Sequence, residues 1–161
     1  MKRLWIVLGC LALAGCGGGL QHKEVRDDGL EPSYTVYPIG KVVKEGGRTL
    51  IVLDEKYEPG LKGLGQFSHV TVVYWFDRND TPEKRAILQV HPRGDRNNPL
   101  TGVFATHSPF RPNLIAISKC EIVSVKDNVI ELKDIDAFDG TPVLDLKGDF
   151  FRFYRPGPTR P

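Results

Sequence analysis

Two short segments of this 161-residue chain concentrate the side chains that could do chemistry. Residues 91–99 have the sequence His-Pro-Arg-Gly-Asp-Arg-Asn-Asn-Pro, and residues 105–113 have Ala-Thr-His-Ser-Pro-Phe-Arg-Pro-Asn. Each contains two prolines, which stiffen the backbone and let a loop present polar groups at a low entropic cost. The Asp-Gly-Thr-Pro sequence at 139–142 is a third candidate. All three segments suit ligand binding, but arginine and aspartate neighbours also brace loops, and Asp-Gly-Thr-Pro also forms simple turns.

The sequence carries few of the arrangements that catalyse reactions through a nucleophile or a metal. The four histidines, at 22, 69, 91 and 107, lack metal-ligand spacing, so we expect no metal site. Gly-x-Ser-x-Gly, P-loop and Gly-x-Gly-x-x-Gly sequences are absent, which disfavours ordinary hydrolases, kinases and dinucleotide-binding enzymes. Cys120 lies in an apolar, strand-like stretch, which predicts a buried and unreactive thiol.

The first sixteen residues predict export and a lipid anchor. The chain starts Met-Lys-Arg and continues as an apolar run over residues 4–14, which is typical of a secretory signal. The run is shorter than the roughly 20 residues that a membrane-spanning helix needs. It ends in Leu-Ala-Gly before Cys16, which resembles the bacterial lipobox; the alternative is a short core helix containing Cys16. We expect a lipoprotein of the cell envelope, held to a membrane through lipid on Cys16 and facing the periplasm or the cell exterior.

Composition divides the chain into four parts and sets its charge. We predict a signal peptide at 1–15, a glycine-rich flexible tether at 16–33, one barrel domain at 34–150, and a proline- and arginine-rich tail at 151–161. The whole chain has 22 basic and 20 acidic residues, and the signal contains two of the basic ones, so the mature chain has 20 of each. A net charge of zero argues against a protein whose main task is gripping phosphate backbones.

The apolar pattern predicts an all-β fold, a barrel or sandwich of short antiparallel strands with little helix. The run from His69 to Phe76 is almost continuously apolar, which predicts a central strand buried on both faces. Shorter strands are expected at 86–90 and 102–105. A long strand over 114–125 changes its apolar phase, which predicts a bulge or bend near Lys119. Turns are expected at 45–48, 127–128 and 139–140.

Six segments then occur in a characteristic order: Phe67-Ser68-His69, Tyr74-Trp75-Phe76, and residues 91–95, 102–106, 108–113 and 139–145. Together they resemble the TsaA-like family, whose best-known members are the TrmO tRNA methyltransferases, over roughly residues 37–147. The resemblance implies a single compact antiparallel β-barrel that binds S-adenosylmethionine and usually forms a homodimer. It also implies methylation of the threonylcarbamoyl-adenosine beside the anticodon of tRNA. Methyl transfer from a sulfonium is an in-line displacement that depends on positioning, so no catalytic residue is assigned.

The resemblance also implies which residues form the site. It places pocket-bracing roles on Arg93, Asp95, Arg111 and Asn113. Cofactor contacts fall on Arg78, His107, Ile117, Asp139, Gly140, Thr141 and Pro142.

Several positions depart from the family pattern around this pocket. His107 stands where the family usually has Arg. The histidine replaces only in part the forked, permanently charged donor that an arginine provides. Asp77 stands where His is common, and residues 113–116 are Asn-Leu-Ile-Ala where Asn-Pro-Ile-Gly is usual.

These observations leave two functions open. The first is an S-adenosylmethionine-dependent methyltransferase, acting on tRNA if the chain is cytoplasmic. The second is a non-enzymatic envelope lipoprotein whose altered barrel pocket binds another small ligand or an envelope protein. The predicted anchor, the altered pocket and the neutral charge favour the second.

Overall fold

Residues 33–149 are described by the computed structural model of the chain. Their central feature is a closed antiparallel barrel with the strand order β1-β2-β7-β6-β3-β8, in which β8 pairs back onto β1. A separate two-stranded ribbon is formed by β4 and β5. The predicted all-β antiparallel barrel is therefore confirmed. The strands are β1 Gly40–Glu45, β2 Arg48–Leu53, β3 His69–Trp75, β4 Gln89–Val90, β5 Thr101–Gly102, β6 Ile115–Lys126, β7 Val129–Leu132 and β8 Pro142–Gly148.

Within the described residues, helix is confined to short segments, the longest being the seven-residue 3₁₀ helix Glu55–Leu61. The short helix α1 is Pro82–Arg85, and proline occupies its first turn. Thr81 caps its N-terminus, where the threonine hydroxyl accepts a hydrogen bond from the Lys84 amide at 3.3 Å. None of the helices between residues 33 and 149 has the length and apolar character needed to cross a membrane. The 3₁₀ turns are Glu55–Leu61, Leu64–Gln66, Asp77–Asn79, Pro92–Gly94 and Val103–Ala105.

The two predicted strands that flank residues 91–99 are shorter than expected. The prediction for 86–90 was wrong except at Gln89–Val90, and that for 102–105 was wrong beyond Gly102. Val103 to Ala105 instead form a 3₁₀ turn that closes with a hydrogen bond from the Thr106 amide to the Val103 carbonyl, at 3.2 Å. Short apolar runs fit strands and turns equally well, so periodicity alone cannot separate them.

Two tight hairpins hold the barrel register. Gly46 and Gly47 join β1 to β2 with φ angles of +56° and +76°, as a twist-matched two-residue turn requires. Asp127 (φ +51°) and Asn128 join β6 to β7. The Asn128 side-chain amide also donates to the Leu53 carbonyl at 2.5 Å, which ties the second hairpin to β2. Both predicted turns are confirmed.

β3 alternates instead of being buried on both faces. Val70, Val72 and Tyr74 point into the core, while the residues between them are only half-buried. The prediction of two buried faces was wrong, because each strand of a closed barrel has one face toward the core. The apolar character of its outer face has another cause, since Trp75 lines the cleft described below.

The bulge in β6 lies between Ile122 and Ser124, where the pairing with β7 shifts, and not near Lys119 as predicted. The prediction rested on the change of apolar phase after Ile115 and Ile117. In the structure they face outward, while Ala116 and Cys120 are buried. Cys120 is buried as predicted, and burial raises the pKa of its thiol to about 11, which keeps the thiol protonated and disfavours a nucleophilic role.

Candidate functional site

A cleft of about 530 Å³ opens where β3 ends and β6 begins. Four stretches of chain meet there: the end of β3 with the turn after it, residues 107–111, the start of β6, and the connection between β7 and β8. A volume of this size is typical of pockets for small molecules and cofactors. The largest apolar members of its lining are Trp75, Phe76, Ile115, Ile117 and Phe138, and the charged or titratable ones are Asp77, Arg78, His107, Arg111 and Asp136.

One wall of the cleft is an apolar patch on the outer face of the barrel. Trp75 pairs with Ile115 across the β3–β6 ladder, so both side chains lie on the same face, opposite the buried Tyr74 and Ala116. Ile117 continues this face and is 59% exposed. Exposed branched side chains inside a concave site are suited to cover an apolar or aromatic ligand group.

The facing walls are joined at the mouth by a cation and an aromatic ring. The guanidinium carbon of Arg78 lies 3.8 Å from the centroid of the Phe138 ring, within the range of a cation–π interaction. Arg78 comes from the turn after β3, and Phe138 comes from the β7–β8 connection. The pair holds the arginine over the cleft and keeps its N–H groups available to an anionic ligand group.

Tyr74 fastens the floor of the cleft to its opposite wall. Its hydroxyl donates to the Asp136 carbonyl at 2.8 Å and lies 3.1 Å from the Ser118 hydroxyl. The phenol has one proton and the carbonyl can only accept, so Ser118 must be the donor in the second bond. Burial raises the pKa of the Tyr74 phenol, which keeps it protonated and able to donate.

Residues 107–111 are braced by one hydrogen bond within their own loop and by one from helix α1. Arg111 donates from Nη2 to the Thr106 carbonyl at 2.5 Å, and Arg85 donates from Nη1 to the Pro112 carbonyl at 2.6 Å. Arg85 also pairs with Asp80, Nε to Oδ1 at 2.9 Å, and this hydrogen bond lowers the pKa of the Asp80 carboxyl. The indole N–H of Trp75 donates to the other oxygen of Asp80 at 3.3 Å.

The Asp-Gly-Thr-Pro segment forms the turn that leads into β8. Gly140 has a φ of +82°, which favours glycine, and its amide donates to the Val42 carbonyl at 2.8 Å. Asp139 accepts from the Lys44 amide at 2.9 Å, so one carboxylate oxygen is committed to the fold. Thr141 is buried and reaches the cleft.

The structure brings together some of the predicted site residues and separates others. Arg78, His107, Ile117 and Thr141 line the cleft, and so does Arg111, which was predicted to brace it. Within the described residues the lining does not include Asp139, Gly140 or Pro142, which form the adjacent turn, or the exposed Asn113.

Arg93 and Asp95 lie outside the cleft lining of the described chain, in the other polar loop. Asp95 accepts from the Asn97 amide at 2.9 Å and so braces its own loop. Arg93 is exposed and has a φ of +59°. Between residues 33 and 149, no hydrogen bond or ion pair joins either side chain to a residue of the cleft lining, and their role in bracing the pocket stays a prediction.

Sequence reasoning missed four lining residues that matter: Tyr74, Trp75, Asp136 and Phe138. The first two occupy a strand and resemble core residues in the sequence. Phe138 lies in a loop without periodicity, and only its place beside Asp-Gly-Thr-Pro could have drawn attention to it. No cluster of three or more His, Cys, Asp or Glu side chains able to hold a metal occurs between residues 33 and 149.

Comparison with known proteins gives a consistent picture. The family of the tRNA-methyltransferase O N-terminal domain matches residues 33–153. A probable S-adenosyl-L-methionine-binding protein of Methanocaldococcus jannaschii is 45% identical over 114 residues, which are 71% of this chain and 90% of that protein. The human tRNA (adenine(37)-N6)-methyltransferase is 43% identical over 90 residues, 56% of this chain but 20% of the human protein.

Among solved structures, TrmO from Pseudomonas aeruginosa is similar with a TM-score of 0.55 and 26% sequence identity. The match covers 73% of this chain and 56% of the TrmO chain, so this chain spans little more than half of that protein.

Proposed function

The chain belongs to the family of the tRNA-methyltransferase O N-terminal domain, and from this premise we propose that its cleft binds S-adenosylmethionine for methyl transfer. Support comes from a single observation: the cleft collects Arg78, His107, Ile117 and Thr141, four of the residues at which the family resemblance implies cofactor contacts. A relative named as a probable S-adenosyl-L-methionine-binding protein matches over 90% of its own length.

The residues of the cleft fit the chemistry of this cofactor. Ile117, Trp75 and Phe138 offer apolar and aromatic surface to an adenine ring. Arg78 and His107 offer N–H groups to a carboxylate. Asp77 and Asp136 place negative charge in a cleft that would receive a sulfonium.

When bound, S-adenosylmethionine supplies an electrophilic methyl group on a positively charged sulfur. The chain has to orient the donor against the acceptor and keep water out. The outer-face patch of β3 and β6 would cover the bound ligand, and Arg78, held beside Phe138, would orient it through its N–H groups. No protein nucleophile is required, which agrees with the absence of a catalytic motif in the sequence.

The methyl acceptor in the proposal depends on the cellular address: a tRNA substrate requires a cytoplasmic chain, so the tRNA substrate and the envelope address below are alternatives. The similarity to the human tRNA methyltransferase supports N6-methylation of tRNA adenosine. That match covers 20% of the human protein. The lipobox-like ending at Cys16 supports an envelope lipoprotein that is held to a membrane and faces away from the cytoplasm.

An observation inside the cleft favours the second candidate, a barrel that binds another ligand or an envelope protein. Asp77, His107 and Ala116 line the cleft and are positions at which the chain departs from the family pattern. An arginine-to-histidine exchange in a lining position weakens carboxylate recognition. Homodimerisation is proposed for either function.

Calorimetric titration of the full chain with S-adenosylmethionine tests the first function. A dissociation constant below about 1 mM, equivalent to ~4 kcal/mol of binding free energy, supports it, and weaker binding refutes it. The matched variants are Ile117→Asp and Val123→Asp. Both residues are on β6 and are 59% and 58% exposed, but only Ile117 lines the cleft. Binding should be lost in the first variant and kept in the second.

Cell fractionation tests the address. The Cys16→Ala variant should leave the membrane fraction, because the proposed attachment is the lipid on that residue. Membrane association that survives the change would refute the anchor.

A further inference from the structure

The connection between β7 and β8, residues 133–141, is an irregular wall of the cleft. It supplies Asp136, Ala137, Phe138 and Thr141 to the lining without forming a helix or strand between Lys133 and Thr141. A wall without its own backbone ladder keeps its shape only through contacts with neighbouring elements. The groups that supply those contacts therefore set the shape of the cleft.

Lys44, at the end of β1, makes three such contacts from outside the cleft. Its ammonium group donates to the Ile135 carbonyl at 3.0 Å and lies 4.0 Å from the Asp134 carboxylate. Its backbone amide donates to the Asp139 carboxylate at 2.9 Å. Residues on both sides of Phe138 are thus fastened to a single residue of β1.

The side-chain bond to Ile135 is the most consequential of the three. Ile135 itself is buried, with 3% exposure, so its side chain anchors the connection in the core. Its carbonyl precedes the Asp136 carbonyl that accepts from Tyr74. Lys44 on β1 and Tyr74 on β3 therefore hold two consecutive carbonyls of this connection. Together they leave the backbone just before Phe138 little freedom to rotate.

We propose that Lys44 is a positioning residue of the cleft: without lining it, the side chain sets the 133–141 connection so that Phe138 meets Arg78 across the mouth. The proposal deepens the proposed cofactor site and rests on it. A charged donor on a backbone carbonyl is stronger than a neutral one, and the half-exposed side chain of Lys44 can be exchanged without opening the core.

The test compares Lys44→Met, Lys44→Arg and Lys41→Met as full chains. Lys44→Met keeps the length of the side chain and the backbone bond to Asp139 but loses the donor. The Kd for S-adenosylmethionine should rise about tenfold, the size expected from one lost charge-assisted hydrogen bond. Lys44→Arg should restore it to within about threefold, since a cationic donor returns. Lys41→Met changes an exposed lysine of the same strand and should bind as the parent does.

A lower melting temperature with an unchanged Kd in Lys44→Met would mean that Lys44 only supports the fold, and would overturn the proposal. Amide hydrogen exchange gives a readout that needs no ligand. The amides of Gly140 and Thr141, which bond to Val42 and Phe138, should exchange faster in Lys44→Met than in Lys41→Met.

The exchange measurement also separates the two proposals. If the parent chain does not bind S-adenosylmethionine, the proposed function fails. Faster exchange in Lys44→Met would then still support the positioning role, and equal exchange in the two variants would overturn it.

Discussion

The two proline-containing polar loops have similar compositions but opposite relations to the cleft. The loop at 105–113 contributes His107, Pro109 and Arg111 to the lining, whereas no residue of the loop at 91–99 belongs to the lining within the described chain. The loop at 91–99 is closed on itself. His91 donates from Nδ1 to the Asn98 carbonyl at 2.8 Å, and the Asn98 amide donates to the Pro92 carbonyl at 3.0 Å.

The loop at 105–113 also has an internal bond, from Arg111 to the Thr106 carbonyl, but it is fastened to other elements as well. Arg85 from α1 holds its Pro112 carbonyl, and its last residues lead directly into β6, whose outer face is a wall of the cleft. The difference teaches that polar composition and stiffness indicate a structured loop, while the elements on either side decide whether it faces a site.

The largest effect should come from the arginines of the two loops. Arg111→Ala removes the hydrogen bond from the half-buried guanidinium to the Thr106 carbonyl. It also removes a positive charge from the cleft. We expect a loss of about 1.5–3 kcal/mol in the free energy of unfolding, measured by denaturant titration, and at least a tenfold rise in the Kd for S-adenosylmethionine. Arg93→Ala in the other loop should change neither. Equal losses in both variants would break the comparison.

The histidines should show a smaller effect of opposite sign. His107→Arg introduces a forked, permanently charged donor into the cleft and should lower the Kd for S-adenosylmethionine by about three- to tenfold. His91→Arg breaks the internal closure of its loop and should leave the Kd unchanged. If His107→Arg has no effect in calorimetry, the cleft has been rebuilt for a different ligand.

The smallest effect should be on the pH dependence of stability, through the Arg85–Asp80 pair that supports the 105–113 loop. The hydrogen bond from Arg85 lowers the pKa of Asp80, so the folded state binds the proton of this carboxyl less readily than the unfolded chain. The stabilisation is complete above the ordinary carboxyl pKa near 4 and is lost as the pH falls through the lowered value. Asp80→Asn should remove this part of the acid dependence of stability, measured by denaturant titration between about pH 2 and 6, and Arg85→Gln should reproduce it. An acid dependence that is unchanged in both variants would show that the pair contributes nothing.

The local features of the fold could be predicted from the sequence because they depend on neighbouring residues. Gly46-Gly47 and Asp127-Asn128 tolerate the positive φ that tight hairpins need, and both turns occur as predicted. The bulge was misplaced because the change of apolar phase after Ile115 and Ile117 was the only signal used to place it. Their exposure depends on which face of β6 meets β3, and that register is set by pairing across the barrel.

The site could be predicted only in part, for a related reason. The resemblance indicated Arg78 and Thr141, which are far apart in the chain and meet at the cleft. Phe138 and Asp136 take their places from contacts made by Lys44 and Tyr74, which lie 91 and 62 residues away from their partners in the connection. Pairings at this separation leave no periodic signal in the sequence.

Trp75 has a spectroscopic consequence. The chain contains two tryptophans, and Trp5 falls in the segment that the predicted signal processing removes. The processed protein would then carry one indole, which lines the cleft and donates its N–H to Asp80. Its fluorescence would report the polarity of the cleft without any label, so that a ligand entering the cleft would register as a change in emission from a single, known position.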